Sequence, residues 1–190
     1  VGAHGADDMG VNSGAAYVFE RTAAGWVERQ RLKAGDPVGG AGFGFSVKIE
    51  GSLIAVGTPG ASHQAIQNVG AIYIFELSGG TWNQAWKLTP SDAAINYGCG
   101  YSVALSDARV IGGAIGEWHA GPYTGAAYIF EHIAGAWTQV AKVVSSDGAA
   151  GDDFGYSVAL HGDVAVVGAV GVPQGGYATV GAAYVFEKQG

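Results

Sequence analysis

The chain has 190 residues, of which 48% are hydrophobic and 13% charged, with 34 glycines and a formal net charge of −7. This composition excludes a disordered chain, which would be rich in charge and poor in aromatic residues. The acidic balance without a basic cluster argues against a nucleic-acid partner, and the absence of a long apolar run argues against membrane insertion.

A heptapeptide near the N-terminus, GAAYVFE at residues 14–20, recurs in nearly the same form three more times. The copies begin at Gly70, Gly125 and Gly181, and successive copies are 56, 55 and 56 residues apart. A repeat of this length without helical periodicity indicates a β unit that must pack on its neighbours to bury its faces. The chain is therefore predicted to be a repeat array.

Each repeat contains four short apolar segments, which we label A to D; in the second repeat they lie near residues 45–49, 53–57, 71–76 and 82–88. Segment A alternates large and small residues, and a turn of two or three residues joins it to segment B, which requires a tight antiparallel hairpin. Segment B is apolar on both faces, as expected of a strand between two neighbouring sheets. Four antiparallel strands per repeat predict an all-β fold, a β-propeller of four-stranded blades.

We expect about three and a half blades, over residues 1–34, 35–89, 90–144 and 145–190, with the first and last incomplete. A propeller ring needs more blades than this, so we expect the chain to belong to a longer polypeptide or to a homo-oligomer. Recurring tryptophans at the start of segment D are predicted to pack between blades (Trp26, Trp82 and Trp137). Cys99 occupies the position of Phe43 and Phe154 and is predicted to be a small buried hydrophobe.

The motif before segment A is Phe43-Gly44 and Phe154-Gly155, with Cys99-Gly100 as a degenerate copy, and a weaker Gly-Ala or Gly-Thr pair ends segment B. The layout resembles the FG-GAP repeat of the integrin α-subunit propeller and its bacterial relatives. The resemblance covers essentially the whole chain. It implies an extracellular or cell-surface location and a role in binding, such as cell adhesion.

Calcium-binding members of that family carry several oxygen ligands in the hairpin between segments A and B. Here each of these hairpins has a single acidic residue, Glu50, Asp107 or Asp163, which is too few for a calcium cage. We therefore expect no cofactor and no calcium at the hairpins. The close oxygen cluster of Asp7, Asp8 and Asn12 is a weak candidate for a cation site.

An aspartate recurs between segments D and A, at Asp36, Asp92 and Asp147. An aspartate that follows a strand and precedes a glycine-rich loop usually bonds nearby backbone amides. We therefore predict Asx-turns at these three positions rather than a metal or catalytic site.

The loops between segments B and C differ most among the copies, and recognition usually lies on loops held by a rigid scaffold. One loop position is polar in every copy although its identity changes, and two loops carry aromatic residues. The candidate ligand-binding residues are Asp8, His63, Trp118, His119, Tyr123, Gln174 and Tyr177. The alternatives are a solvated rim for the polar residues and packing between loops for the aromatic ones.

The sequence contains no nucleophile elbow, HExxH, CxxC or phosphate-binding glycine loop, so we expect no enzymatic activity. The first hypothesis is a binding or adhesion module that recognises a protein partner through the B–C loops and D–A connections on one propeller face. The alternatives are a lectin-like propeller that binds a glycan and an accessory propeller of a larger extracellular enzyme.

Overall fold

The computed structural model describes residues 1–7, 9–173, 175–177 and 179–188. These residues form strands, turns and loops, and no helix occurs among them. The strands are β1 Gly2–Ala3, β2 Ala15–Thr22, β3 Gly25–Leu32, β4 Ser46–Glu50, β5 Leu53–Thr58, β6 Ala71–Ser78, β7 Thr81–Leu88, β8 Val103–Ser106, β9 Arg109–Ala114, β10 Ala126–Ile133, β11 Ala136–Val143, β12 Phe154–His161, β13 Val164–Ala169 and β14 Ala182–Glu187.

The strands form four antiparallel sheets in sequence order. Sheet 1 contains β1–β3, sheet 2 contains β4–β7, sheet 3 contains β8–β11 and sheet 4 contains β12–β14. Sheets 2 and 3 have four strands, which correspond to segments A to D, and sheets 1 and 4 have three. This arrangement confirms the all-β prediction, and the sheets are blades of a propeller that the described residues do not close into a ring.

The two glycine motifs meet at the seam between consecutive sheets. A Cβ placed on Gly57 would lie 2.0 Å from the Gly100 carbonyl oxygen, and one on Gly113 would lie 1.9 Å from that of Gly155. The glycine that opens the heptapeptide makes a second close contact, since Gly125 forms a parallel bridge to Phe154 of the next repeat. The motifs recur because only glycine lets the backbones of two sheets approach this closely.

Three apolar clusters lie between sheets 1 and 2, 2 and 3, and 3 and 4. Cys99 is fully buried in the second of these clusters, as predicted, and burial raises the pKa of its thiol to about 12. Within the described residues no cluster joins sheet 4 to sheet 1, and no helix is long and apolar enough to cross a lipid bilayer.

The recurring tryptophans do not all pack between sheets. Trp82 and Trp137 are each only 9% exposed, and each lies in the cluster shared with the preceding sheet, as predicted. Trp26 is 70% exposed, so the prediction was wrong for this residue. The reason is that its side chain belongs to sheet 1, and the described residues contain no sheet before it.

Candidate functional site

The B–C loops and D–A connections form one continuous face. The Gly116 amide, in the loop between β9 and β10, donates to the Tyr97 carbonyl oxygen (3.1 Å) in the connection that leads into its own sheet. The Asn96 amide, in that same connection, donates to the Gln67 carbonyl oxygen (3.2 Å) in the B–C loop of sheet 2. Equivalent bonds recur at the neighbouring sheets (Gly60 to Ala41, Gly171 to Asp152, Gly40 to Val11 and Gly151 to Pro122). Each connection is therefore tied to two loops.

The recurring aspartates hold these connections in a way that the sequence did not predict. The Tyr73 hydroxyl donates to Asp36 Oδ1 (2.7 Å), and Lys87 Nζ donates to Asp36 Oδ2 (2.6 Å). The Tyr184 hydroxyl likewise donates to Asp147 Oδ1 (2.7 Å). These carboxylates thus join the connection to the strands of its own sheet, through tertiary contacts that the sequence analysis did not predict.

Charge on the Asp36 carboxylate is favoured by these contacts. Burial acts to raise the pKa of Asp36, but the hydrogen bonds from Lys87 and Tyr73 outweigh it, so that the pKa is lowered. Burial and the adjacent carboxylate together raise the pKa of the Tyr73 hydroxyl, which stays protonated as a donor. The contact therefore pairs a carboxylate with two permanent donors.

In sheet 3 a buried glutamate joins the contact between the recurring aspartate and its lysine. Glu117 is 2% exposed and occupies the loop position that is Ala6, Ala61 or Val172 in the other repeats. Its Oε1 accepts from Lys142 Nζ (2.8 Å), which also donates to Asp92 Oδ2 (2.6 Å). A carboxylate in place of a small apolar residue is compensated here by the lysine of the same sheet.

The second oxygen of Glu117 fixes the next residues of the loop. Glu117 Oε2 accepts from the His119 backbone amide (3.0 Å) and lies 2.7 Å from His119 Nδ1. Burial acts to raise the pKa of Glu117, but the hydrogen bonds from Lys142 and His119 outweigh it and the pKa is lowered. The loop that carries Trp118 is therefore anchored on both sides of that residue by one ionised group.

The structure describes five of the seven predicted site residues. Three aromatic residues project into solvent, with exposed fractions of 58% for Trp118, 50% for Tyr123 and 74% for Tyr177. His63 is half-buried, and its backbone pairs with Ile66 within the same loop. Trp118, His119 and Tyr123 lie on one loop, in which Glu117 anchors His119. The remaining two candidates, Asp8 and Gln174, lie outside the described residues.

The weak cation candidate is engaged in a local contact. Asp7 Oδ1 accepts from the Asn12 backbone amide (2.8 Å), and Asp8 lies outside the described residues. Across the described ranges, no three His, Cys, Asp or Glu side chains are placed to hold a metal ion.

An aromatic row lies at the start of the A segments, and the sequence analysis did not predict it. The ring centroids of Phe45 and Tyr101 are 4.8 Å apart, those of Tyr101 and Tyr156 are 5.2 Å apart, and His4 extends the row at 5.2 Å from Phe45. Phe45 and Tyr156 are 39% and 43% exposed. Burial and the Tyr156 hydroxyl raise the pKa of Tyr101 to about 12. The signal in the sequence was an aromatic residue after each FG-type glycine.

Comparison with known proteins agrees with this architecture. The profile of the FG-GAP repeat matches residues 26–75, 82–130 and 137–186. The chain belongs to the FG-GAP repeat family. A search of curated proteins gave no match. The three matched FG-GAP repeats each begin at a recurring tryptophan and end in the next heptapeptide, so each match spans the seam between two sheets.

The lowered pKa of Glu117 makes the stability of this FG-GAP chain sensitive to acid. A carboxylate with a depressed folded-state pKa stabilises the fold above its unfolded pKa, and the contribution is lost as the pH falls through the folded pKa. We expect the free energy of unfolding to decrease below about pH 4.5, and to decrease less in Glu117→Gln. Urea unfolding at pH 7 and pH 3 measures the difference. Exposed Glu50→Gln is the control, and an unchanged acid dependence in Glu117→Gln would contradict the assignment.

Proposed function

We propose that this FG-GAP repeat chain is a non-catalytic binding module that acts outside the cell and recognises a protein partner through its B–C loops and D–A connections. The observation that supports the proposal most directly is the loop of sheet 3. It exposes Trp118 and Tyr123 while Glu117, buried beneath it, anchors its backbone. Aromatic residues held in place before binding supply contact area at a small entropic cost.

The rigidity of the surrounding face supports the same proposal. Each D–A connection is bonded to two B–C loops and, through its aspartate, to its own sheet. Protein interfaces concentrate their binding energy in a few large side chains surrounded by contacts that exclude water. Trp118 and Tyr123 fit the first role, and the adjoining loops fit the second.

A glycan ligand is the second candidate, and the same loop favours it. Exposed indole and phenol rings stack on the apolar face of a sugar, and the His119 ring beside them has its Nδ1 fixed by Glu117. Millimolar sugar that quenches tryptophan fluorescence, with the quenching lost in Trp118→Phe, would favour the glycan over the protein partner.

Replacement of the exposed aromatic residues tests the protein-binding proposal. We expect Trp118→Ala combined with Tyr123→Ala to weaken binding of the partner by about 30-fold or more, because even one interface hot spot contributes about 2 kcal/mol or more. The partner is isolated on the immobilised chain from the extracellular fraction of the source organism, and its dissociation constant is measured by calorimetry. Trp26→Ala is the matched control, since Trp26 is as exposed but lies on sheet 1, away from this loop. Equal affinity of the loop variant and the wild type would contradict the proposal.

A further inference from the structure

A lysine in sheet 3 lies between two carboxylates, one of which has almost no access to water. Lys142 Nζ is 2.6 Å from Asp92 Oδ2 and 2.8 Å from Glu117 Oε1. The Glu117 side chain is 2% exposed, whereas those of Lys142 and Asp92 are 27% and 42% exposed. An amine, a carboxyl group beside it and a second carboxylate that can take up a proton are the groups from which an amide bond between two side chains forms.

Sheet 2 has the same ion pair without the buried acid. Lys87 Nζ is 2.6 Å from Asp36 Oδ2, and it also donates to the Ser62 carbonyl oxygen at 3.1 Å. Ala61 occupies the position of Glu117 in that repeat. At neutral pH a carboxylate can accept a proton from an ammonium group, whereas a backbone carbonyl oxygen cannot. The two sheets therefore differ in the one group that can convert the ammonium ion into a nucleophilic amine.

Aromatic rings flank the Lys142 ammonium group. Its Nζ lies 5.6 Å from the centroid of the Tyr128 ring and 6.0 Å from that of Tyr97. Burial acts to lower the pKa of Lys142, but the hydrogen bonds to Asp92 and Glu117 outweigh it, so that the pKa is raised. The ion pair is therefore the starting state, and a reaction of the amine begins with the transfer of a proton to Glu117.

A buried donor lies beside the Asp92 carboxyl group. In sheets 2 and 4 the hydroxyl of the recurring tyrosine donates to the recurring aspartate. The corresponding Tyr128 hydroxyl is buried, and within the described part of the chain it has no hydrogen-bond partner. Burial and the charge on Asp92 raise the pKa of Tyr128, so the hydroxyl keeps its proton. It is thus available to donate to the negative charge that develops on an Asp92 oxygen when a nucleophile attacks the carboxyl carbon.

We propose that Lys142 and Asp92 join through an amide bond, with Glu117 as the group that carries the proton. Glu117 transfers one ammonium proton to the Asp92 carboxylate, and the Nζ lone pair attacks Cγ of the resulting carboxylic acid. The nitrogen then loses a second proton to the carboxyl oxygen that leaves, so that this oxygen departs as water. One C–N bond forms and one C–O bond breaks, the charges of the ion pair cancel, and Glu117 ends as a carboxylate.

The distance between the reacting groups suits this step. Asp92 Cγ lies one covalent bond beyond Oδ2, so Nζ is held near the separation of about 3 to 3.5 Å from which attack proceeds. Asp92 precedes β8 and Lys142 is near the end of β11, so the amide joins the two ends of sheet 3. The reaction needs no ligand and is independent of partner binding. The acid sensitivity expected from Glu117 belongs to the ion-paired chain, which an intact mass distinguishes from the linked one.

The intact mass of the folded chain after storage at neutral pH tests the proposal. We expect the wild type to be lighter than its sequence by one water molecule. Lys142→Arg, which keeps the charge but not the amine, should retain the full mass, as should Glu117→Gln and Glu117→Ala. Lys87→Arg is the matched control and should lose one water like the wild type, because the ion pair of sheet 2 lacks the buried acid. Circular dichroism confirms that each variant is folded.

Trypsin digestion then locates the bond. An unlinked chain releases residues 88–109, 110–142 and 143–188 as separate peptides, since lysine or arginine ends each of them. The linked chain should instead release residues 88–109 joined to residues 110–188, because an acylated Lys142 is not a cleavage site.

Four results would overturn the proposal. One is a folded wild type that keeps the full mass of its sequence. A second is a loss of water that persists in Lys142→Arg, which would indicate cyclisation at an aspartate. A third is a link confined to residues 110–142, which would assign the bond to Glu117 itself. The fourth is an undiminished loss of water in folded Glu117→Gln or Glu117→Ala, which would remove Glu117 from the reaction.

Discussion

Gly125→Ala is expected to lower the free energy of unfolding by about 4 kcal/mol or more, which is exceptional for a single substitution. Gly125 has a φ of +82°, and a Cβ at this position would lie 2.0 Å from the Phe154 carbonyl oxygen and 2.6 Å from its amide nitrogen. Because both contacts are backbone atoms of the next repeat, no side chain can rotate away to relieve the clash. Sheets 3 and 4 would have to separate, and their shared apolar cluster would open.

Gly135→Ala is the matched control for this prediction. Gly135 has nearly the same φ, +85°, but no atom lies within 4 Å of its Cβ position. Its replacement should cost only the backbone strain, about 1 to 2 kcal/mol. Urea unfolding of the two variants separates the cost of the clash with the Phe154 backbone from the cost of the positive φ. Similar losses of stability in both would show that the seam does not depend on the backbone contact.

Lys142→Met is expected to cost about 3 kcal/mol, because it leaves the buried Glu117 carboxylate without its cation. The lysine is 27% exposed and bonds both Glu117 and Asp92, whereas Glu117 itself has almost no access to water. The equivalent substitution in sheet 2, Lys87→Met, should cost about 1 kcal/mol, since Lys87 bonds Asp36 and the Ser62 carbonyl oxygen and no buried acid. Chemical denaturation at pH 7 gives both values.

The double variant tests the cause of the loss. Glu117→Ala restores the small residue found at this position in two other repeats, so Glu117→Ala combined with Lys142→Met should recover most of the stability. The coupling energy of the two substitutions is then large and favourable. If Lys142→Met is no less stable than Lys87→Met, groups other than Lys142 stabilise the charge on Glu117.

The strands and their order could be predicted because each rests on a local pattern that recurs. Segment B was expected to be apolar on both faces, and β5 and β9 are buried from their second residue to their last. In β13 the buried residues alternate with more exposed ones, because only one of its faces is covered in the described chain. A local pattern predicts that a segment forms a strand. The burial of that strand depends on which sheets pack against it.

The contacts of polar side chains were not predictable from local pattern alone. An aspartate after a strand has nearby amides and distant hydroxyls as alternative partners, and a single copy does not distinguish them. The separation of 37 residues that the Asp36–Tyr73 and Asp147–Tyr184 pairs share was a usable signal. Glu117 was visible in the same way, as a charged residue where the other repeats have a small apolar one.

The contacts that the recurring aspartates make within their own sheets, from tyrosine at Asp36 and Asp147 and from lysine at Asp36 and Asp92, define the boundaries of a transferable repeat. Asp36, Tyr73 and Lys87 lie within one span of the sequence, from the D–A connection to the end of β7, and Asp92, Tyr128 and Lys142 lie in the next. A duplication or deletion of this unit adds or removes a blade together with the aspartate, tyrosine and lysine that hold its own connection. Blade number can then change by whole repeats, while the exposed loop of each copy diverges independently.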